Sequence, residues 1–356
     1  MMKLPELIIG DLKASVPIVQ GGMGIGISLH KLASAVANSG GIGVISAAQI
    51  GFAESDFLKN NLQANLRALR KEIRLAREIS PKGILGVNLM VAANNYNEYV
   101  KICIEEGIDI IISGAGLPLE LPKLVEGSKI KIAPIVSSAK AASLICKTWD
   151  RKHNAAPDLV VVEGPEAGGH LGFHKEDITG NSTTIDEIVV AVKKAVEPYC
   201  DKYSKHIPVI AAGGVFDGYD IARLLKLGAD GVQMGTRFVA TYECDASNAF
   251  KEAYVNAQKE DVQIVTSPVG MPGRAIKNKF IESVNGNEGN IKCLYNCLKP
   301  CNPKTAPYCI SKALINAMEG NLDEGLIFCG SNVYKIDKIV SVKDLIHELV
   351  QQAESV

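Results

Sequence analysis

The chain has 356 residues, with 38 Lys and Arg against 39 Asp and Glu for a net charge of -1. That length exceeds a typical domain and suits a single α/β barrel carrying an insertion, while the balanced charge offers no surplus of cations for phosphates or an anionic membrane, which argues against nucleic-acid binding. Hydrophobic residues at 47% and charged residues at 22% exclude a disordered chain; the 33 glycines form no collagen repeat, and belong singly at strand ends where backbone turns sharply or nears a ligand.

The opening MMKLPELIIGDLKASVP interrupts with acidic residues and a Pro any apolar stretch a secretory signal would need, and no apolar run reaches the roughly 18 residues of a membrane helix. A cytoplasmic protein is expected. Nine cysteines are an odd number in a large chain and fit free thiols better than a disulfide framework.

Eight short Val- and Ile-rich runs follow in order: PIVQGG from Pro17, IGVIS from Ile42, LGVNLM from Leu85, IDIIISG from Ile108, IKIAPIV from Ile130, DLVVVEG from Asp158, IPVIAAGG from Ile207 and GVQMGT from Gly231. Each is a continuous apolar run of the kind a strand buried on both faces needs. Between them lie helix candidates such as SLHKLASAVANSG, ANLRALRKEIRLAREIS, YNEYVKICIEEG, TIDEIVVAVKKAVEPYC and DGYDIARLLKLGA. In the last, Ile221, Leu224, Leu225 and Gly228 share one face while Asp220, Arg223 and Lys226 lie off it. Strands alternating with helices predict an α/β fold, a TIM (β/α)8 barrel over residues 1–260. After Thr236 one helix is expected through FVATYECDASNAFKEAYVNAQKE. The pattern then changes to VTSPVGMPGRAIKN, VNGNEGN and a cysteine-bearing segment, read as a smaller inserted cap over 261–334. The closing VSVKDLIHELVQQ has Val342, Leu345, Ile346 and Leu349 at helical spacing and is expected to return to the barrel over 335–356.

Active sites of such barrels lie at the C-terminal strand ends, and phosphate commonly binds between the loops after strands seven and eight. Strand seven ends Ala212-Gly213-Gly214-Val215 and strand eight Gln233-Met234-Gly235-Thr236, which can offer backbone N–H donors beside a hydroxyl. Read blandly, these glycines only make tight turns, but their order and spacing favour a phosphate. The first strand ends Gly21-Gly22-Met23-Gly24-Ile25-Gly26. It fails as a G-x-G-x-x-G dinucleotide fingerprint, because a match from Gly22 needs Gly where Ile27 stands. Small residues there suit a flat ring lying over the strand end. Asn88 offers an amide that donates and accepts at once. The sixth strand leads into Glu163-Gly164-Pro165-Glu166-Ala167-Gly168-Gly169-His170. A histidine just past a barrel strand end can move a proton near neutral pH, so His170 is the catalytic candidate and His174 its rival. His30, His153, His206 and His347 are read as surface or packing residues.

These motifs carry a resemblance. PIVQGGMGIGIS, GVNLM, EGPEAGGHLG, AAGGVFDGYDIARLLKLGADGVQMGTRF and SPVGMPGR, from about Pro17 to Arg274, resemble the nitronate monooxygenase family, formerly 2-nitropropane dioxygenases. The flavin-dependent enoyl-acyl-carrier-protein reductases share its superfamily. The resemblance implies an FMN-dependent enzyme oxidising alkyl nitronates with O2 to carbonyl compounds and nitrite, with His170 as acid or base. It places FMN contacts at Asn88, Glu163, Gly168, Gly214, Gln233, Met234, Gly235 and Thr236; Gly22, Met23, Ala167, Gly169 and Gly213 complete the expected set. Glu163 stands where many nitronate monooxygenases have Gln and enoyl reductases commonly have Glu. The alternative reading is therefore an NAD(P)H- and FMN-dependent enoyl-thioester reductase, and a second is a flavin-binding sensor without turnover. IMP dehydrogenase shares the Gly-Gly loop, but would need a nucleophilic Cys after strand six, where this chain has none. The expected partners are a small-molecule substrate, nitronate or enoyl thioester, and O2 or NAD(P)H, with a homodimer as the assembly considered.

Cys293, Cys297, Cys301 and Cys309 follow C-x3-C-x3-C-x7-C, neither a zinc-knuckle nor a common ferredoxin spacing. Packed thiols are expected in preference to a metal site.

Overall fold

The computed structural model describes residues 3–179, 183–284 and 291–356. Part of the Gly- and Asn-rich stretch, 285–290, lies outside the described residues. A short hairpin, β1 (Leu7–Ile9) with β2 (Leu12–Ala14), opens the chain. Leu7, Ile9 and Ala14 pack with Val19, Ile42, Ile110 and Val161 from the barrel strands, so the hairpin plugs one end of the barrel. Sequence periodicity could not find it, because three-residue strands are too short to show alternation.

All eight predicted strands form: β3 (Ile18–Gln20), β4 (Ile42–Ser46), β5 (Ile84–Met90), β6 (Ile110–Gly114), β7 (Lys131–Val136) and β8 (Val160–Glu163), then, after a two-residue strand β9 (Gly169–His170) that pairs elsewhere, β10 (Val209–Ala212) and β11 (Gly231–Met234). Each pairs in parallel with its neighbour, and β11 pairs with β3, giving a closed eight-stranded barrel. This is the expected TIM barrel. A repeated device fixes its lower rim. Asp109, Asp158 and Asp230 each precede a strand and accept the N–H of Leu85, Ile132 and Val209, respectively, in the strand before, at 2.8, 2.9 and 2.9 Å. These bonds satisfy strand-end donors that the ladder leaves unpaired.

The wall helices bury the faces their spacing predicted. On Gly218–Lys226, Ile221, Ala222 and Leu224 are buried, and the Asp217 carboxylate caps the N-terminus by accepting from Asp220 N–H at 3.0 Å. The helix Ile185–Tyr203 starts from a capping box of Thr184 and Glu187. The closing helix Val342–Glu354 buries Val342, Leu345, Ile346 and Leu349 against Gly218–Lys226 and His30–Asn38. A Cβ at Gly218 would come within 2.3 Å of the Leu349 carbonyl oxygen, so glycine there sets the approach of the two helices.

One expectation fails. The stretch from Phe238 to Glu260 is not one helix but two, Thr236–Val239 and Asn248–Asn256, with a turn between them. The Asp245 carboxylate accepts from the N–H groups of Leu29 and Leu32 at 2.9 and 3.3 Å, and Ser247 caps the second helix through Phe250 N–H. Aspartate and serine satisfy these helix-end donors better than they serve a helix interior.

Beyond it, β12 (Val262–Thr266) and β13 (Pro272–Ile276) form an antiparallel sheet whose third strand is β9. The helix Ile310–Glu319 packs beneath it around Ala275, Ile281, Leu298 and Tyr308. Among the described residues no helix is long and apolar enough to cross a membrane.

Candidate active site

Parallel strands in a closed barrel deliver their following loops to one rim, and the loops after β3, β5, β8, β10 and β11 meet there around a cavity of about 330 Å³. All the expected contact residues line it: Gly22 and Met23, Asn88, Glu163, the run from Ala167 to His170, Gly213 and Gly214, and Gln233 to Thr236. His174 is exposed and not part of the lining. His30 pairs with Glu72 at 2.6 Å, His153 bonds to the Leu119 carbonyl and His206 to Asp230, while His347 is exposed.

At one end, Gly213 and Gly214 have φ of +93° and +80°, a left-handed pair that L side chains rarely adopt. Such a turn exposes consecutive backbone N–H groups as an anion cradle. Opposite stands Gly235, followed by the helix Thr236–Val239. A third segment, absent from the sequence expectations, closes this end: Gly330 N–H donates to Thr236 Oγ1 at 2.9 Å, and the Asn332 amide donates to the Gly214 carbonyl at 2.8 Å. Ser331 Oγ beside them is buried without a hydrogen-bond partner. The Cys329-Gly330-Ser331-Asn332 run carries a Gly and hydroxyl signal of the same kind as Gly235-Thr236, but it lies far along the chain from any barrel strand.

Near the barrel axis, space is set by glycine. A Cβ on Gly22 would lie 2.3 Å from the Asn88 Cβ, so the β3 loop lies directly on that side chain. The Asn88 amide donates to the Ile112 carbonyl at 3.3 Å, leaving its oxygen available. Gln233 Oε1 is buried with no partner. An orphaned acceptor is costly unless a bound group satisfies it, and flavin ring N–H is a donor of the required kind.

His170 is held by the roof rather than by a free loop. It pairs with Gly273 across β9 and β13, and its Nε2 lies 2.6 Å from Ser267 Oγ. Phe328 meets the ring edge-on at 5.1 Å between centroids. Burial pushes its pKa down to about 4, below the near-neutral value expected from the sequence, so the imidazole is neutral at pH 7 and a weaker base than a free histidine. Glu163 behaves oppositely. Burial raises its carboxyl to about 7, against the pull of the Gly172 N–H and the nearby Arg274 guanidinium. Arg274 itself donates to the Ala167 carbonyl and fixes the loop before His170. Ser267 and Arg274 both lie in the SPVGMPGR motif, so the sequence contained their signal; Phe328 had none.

A raised carboxyl gives a pH-linked stability. Between its ordinary value near 4.5 and about 7, folded Glu163 holds a proton that the unfolded chain has lost. Its contribution is therefore full below pH 4.5 and disappears as pH rises through 7, up to about 3 kcal/mol. His170, with its lowered value, works in the opposite sense, losing stability as pH falls from about 6.5 towards 4. Urea melts of flavin-stripped wild type and Glu163→Gln at pH 5 and 7.5 separate the two. The stability difference between the proteins should shift towards the variant at the higher pH; a constant difference would assign Glu163 an ordinary pKa.

A family model described as nitronate monooxygenase matches residues 6–352. The chain belongs to the nitronate monooxygenase family. Membership makes it an oxidoreductase of a flavin-dependent superfamily. It is 28% identical over 319 residues to a probable nitronate monooxygenase of Staphylococcus saprophyticus, covering 82% of this chain and 83% of that one. Among solved structures, FabK from Thermotoga maritima is 29% identical with a TM-score of 0.75, over 96% of this chain and 93% of that one. A nitroalkane oxidase from Streptomyces ansochromogenes, 20% identical over 96% of both chains with a TM-score of 0.74, shares the fold.

Proposed function

We propose that the protein is an FMN-dependent nitronate monooxygenase, converting an alkyl nitronate and O2 to a carbonyl compound and nitrite. The observation that carries this reading is one cavity with an anion cradle at Gly213, Gly214 and Gly235, an orphaned Gln233 acceptor along its wall and His170 facing inward from the roof. The cradle suits a single phosphate group, and Gln233 with Asn88 suits a ring edge that both donates and accepts. When bound, the flavin supplies the electron acceptance that the protein's own side chains lack. His170 accepts the proton at carbon of a neutral nitroalkane or orients a preformed nitronate, and Ser267 holds the imidazole for either task. Its neutral state avoids holding a buried cation before substrate arrives. All nine cysteines are free, which suits the reducing cytoplasm.

Glu163, in the position where a Gln is common among nitronate monooxygenases, favours a second reading, an NAD(P)H-dependent enoyl-thioester reductase with His170 as proton donor. One experiment tests both. The released chromophore should run as FMN on chromatography, and anaerobic addition of a nitronate should change the flavin spectrum while NADH and NADPH do not. Recovery of FAD would defeat the cofactor assignment. Rapid bleaching by NADPH with turnover of an enoyl thioester would establish the second reading in place of the first.

A further inference from the structure

The reaction above gives no role to the loop after β4. In the closed order of eight strands β4 stands four places from β8, so that loop faces the His170 segment across the barrel mouth. It contributes Ser46, Ala47, Ala48 and Gln49 to the cavity lining. Gln49 is held in a left-handed conformation, φ +46°, which residues other than glycine seldom adopt, and only 8% of it is exposed.

A network of side-chain amides fixes which edge of Gln49 is free. The Gly51 N–H, which can only donate, reaches Asn65 Oδ1 at 2.8 Å, so the other end of that amide is the nitrogen. Asn65 Nδ2 then donates to Asn61 Oδ1 at 3.1 Å and to Gln49 Oε1 at 3.5 Å, and Asn61 Nδ2 donates to Gln49 Oε1 at 2.8 Å. Both asparagines lie on the helix Asn61–Ile79. The Gln49 oxygen is therefore turned to that helix, and its NH2 is left without a partner among the described residues. A buried donor of this kind costs stability until something accepts from it. Tyr99, 6% exposed on the helix Tyr96–Glu105, also lines the cavity, and burial pushes its hydroxyl up to about 12, so it keeps its proton. The same lining carries Met90, Ala93 and Leu298, with Ile310 and Leu314 from one face of the helix Ile310–Glu319. No Lys or Arg is among the described lining residues, and its acids are Glu163 and Glu166.

We propose that Gln49 is a specificity-determining donor, and that the substrate carries, away from its reacting carbon, an uncharged chain whose carbonyl or ether oxygen accepts from the Gln49 NH2. This rests on the reading of the cavity as the substrate site and narrows the class of molecule it takes. A carboxylate on that chain would be buried with no cation to pair it. A plain hydrocarbon would leave the amide unsatisfied.

Isothermal titration calorimetry of the flavin-loaded protein with 2-octanone and with octanoate reads the preference without turnover, so the result stands apart from whether a nitronate is oxidised. The ketone should bind at least about tenfold more tightly than the carboxylate. Gln49→Glu keeps the oxygen that Asn61 and Asn65 bind and replaces the NH2 with an acceptor, so ketone affinity should fall by about tenfold or more. Asn61→Asp probes the same edge with Gln49 intact. A carboxylate is tolerated at that helix N-terminus; it draws the Gln49 NH2 to itself and presents the oxygen to the cavity, and the same loss is expected. Circular dichroism of both variants should match wild type. The proposal is overturned by octanoate that binds wild type as tightly as the ketone, by a ketone that does not bind, or by ketone affinity that survives either substitution.

Discussion

His170→Ala is expected to retain flavin and to lose turnover on neutral nitroalkanes by about a hundredfold to ten-thousandfold more than on preformed nitronates. The asymmetry follows from the chemistry. Only the neutral substrate must lose a proton from carbon, and His170, held 2.6 Å from Ser267 in the cavity, is the base proposed to take it. Steady-state kinetics with each substrate form, the nitronate freshly prepared in base, measures the two losses separately. Equal losses on both would remove the base role and leave His170 a binding residue.

Gly235→Asp should lower flavin affinity by at least a hundredfold, about 3 kcal/mol, with the barrel still folded. Gly235 has an ordinary φ of -114°, so a side chain there costs no backbone strain. Its Cβ would meet only Met23, with the sulfur at 3.3 Å. The added carboxylate would face the anion cradle at close range, where like charges repel and neither is fully hydrated. Flavin content after purification, with an unchanged circular dichroism spectrum, checks the result; full flavin occupancy would show that the phosphate lies elsewhere.

The barrel was legible because buried parallel strands have a loud signature. Continuous apolar runs such as DLVVVEG and IPVIAAGG cannot be surface elements, and their alternation with amphipathic helices leaves few folds open. The loop glycines were legible for a related reason: residues that follow a barrel strand belong to one rim whatever their separation in sequence. Three things were hidden. The β1–β2 hairpin is too short for periodicity. The break at Asp245 depends on helix-end donors 216 and 213 residues away at Leu29 and Leu32, which no local pattern reveals. Phe328 and Gly330 reach the cavity from a segment with no strand signal, so only tertiary structure assigns them.

The pairing of β9 with β13 ties the proposed base to the roof. Gly273 and His170 share a ladder position, and the turn from Ser267 to Met271 that joins β12 to β13 closes directly over the imidazole. A substrate too large for the space beneath would lift the same strands that orient the proposed base. Discrimination by size then falls on the rate of the chemical step more than on binding, so exchanging residues in that turn is a way to change which substrates react without altering the barrel or its cofactor cradle.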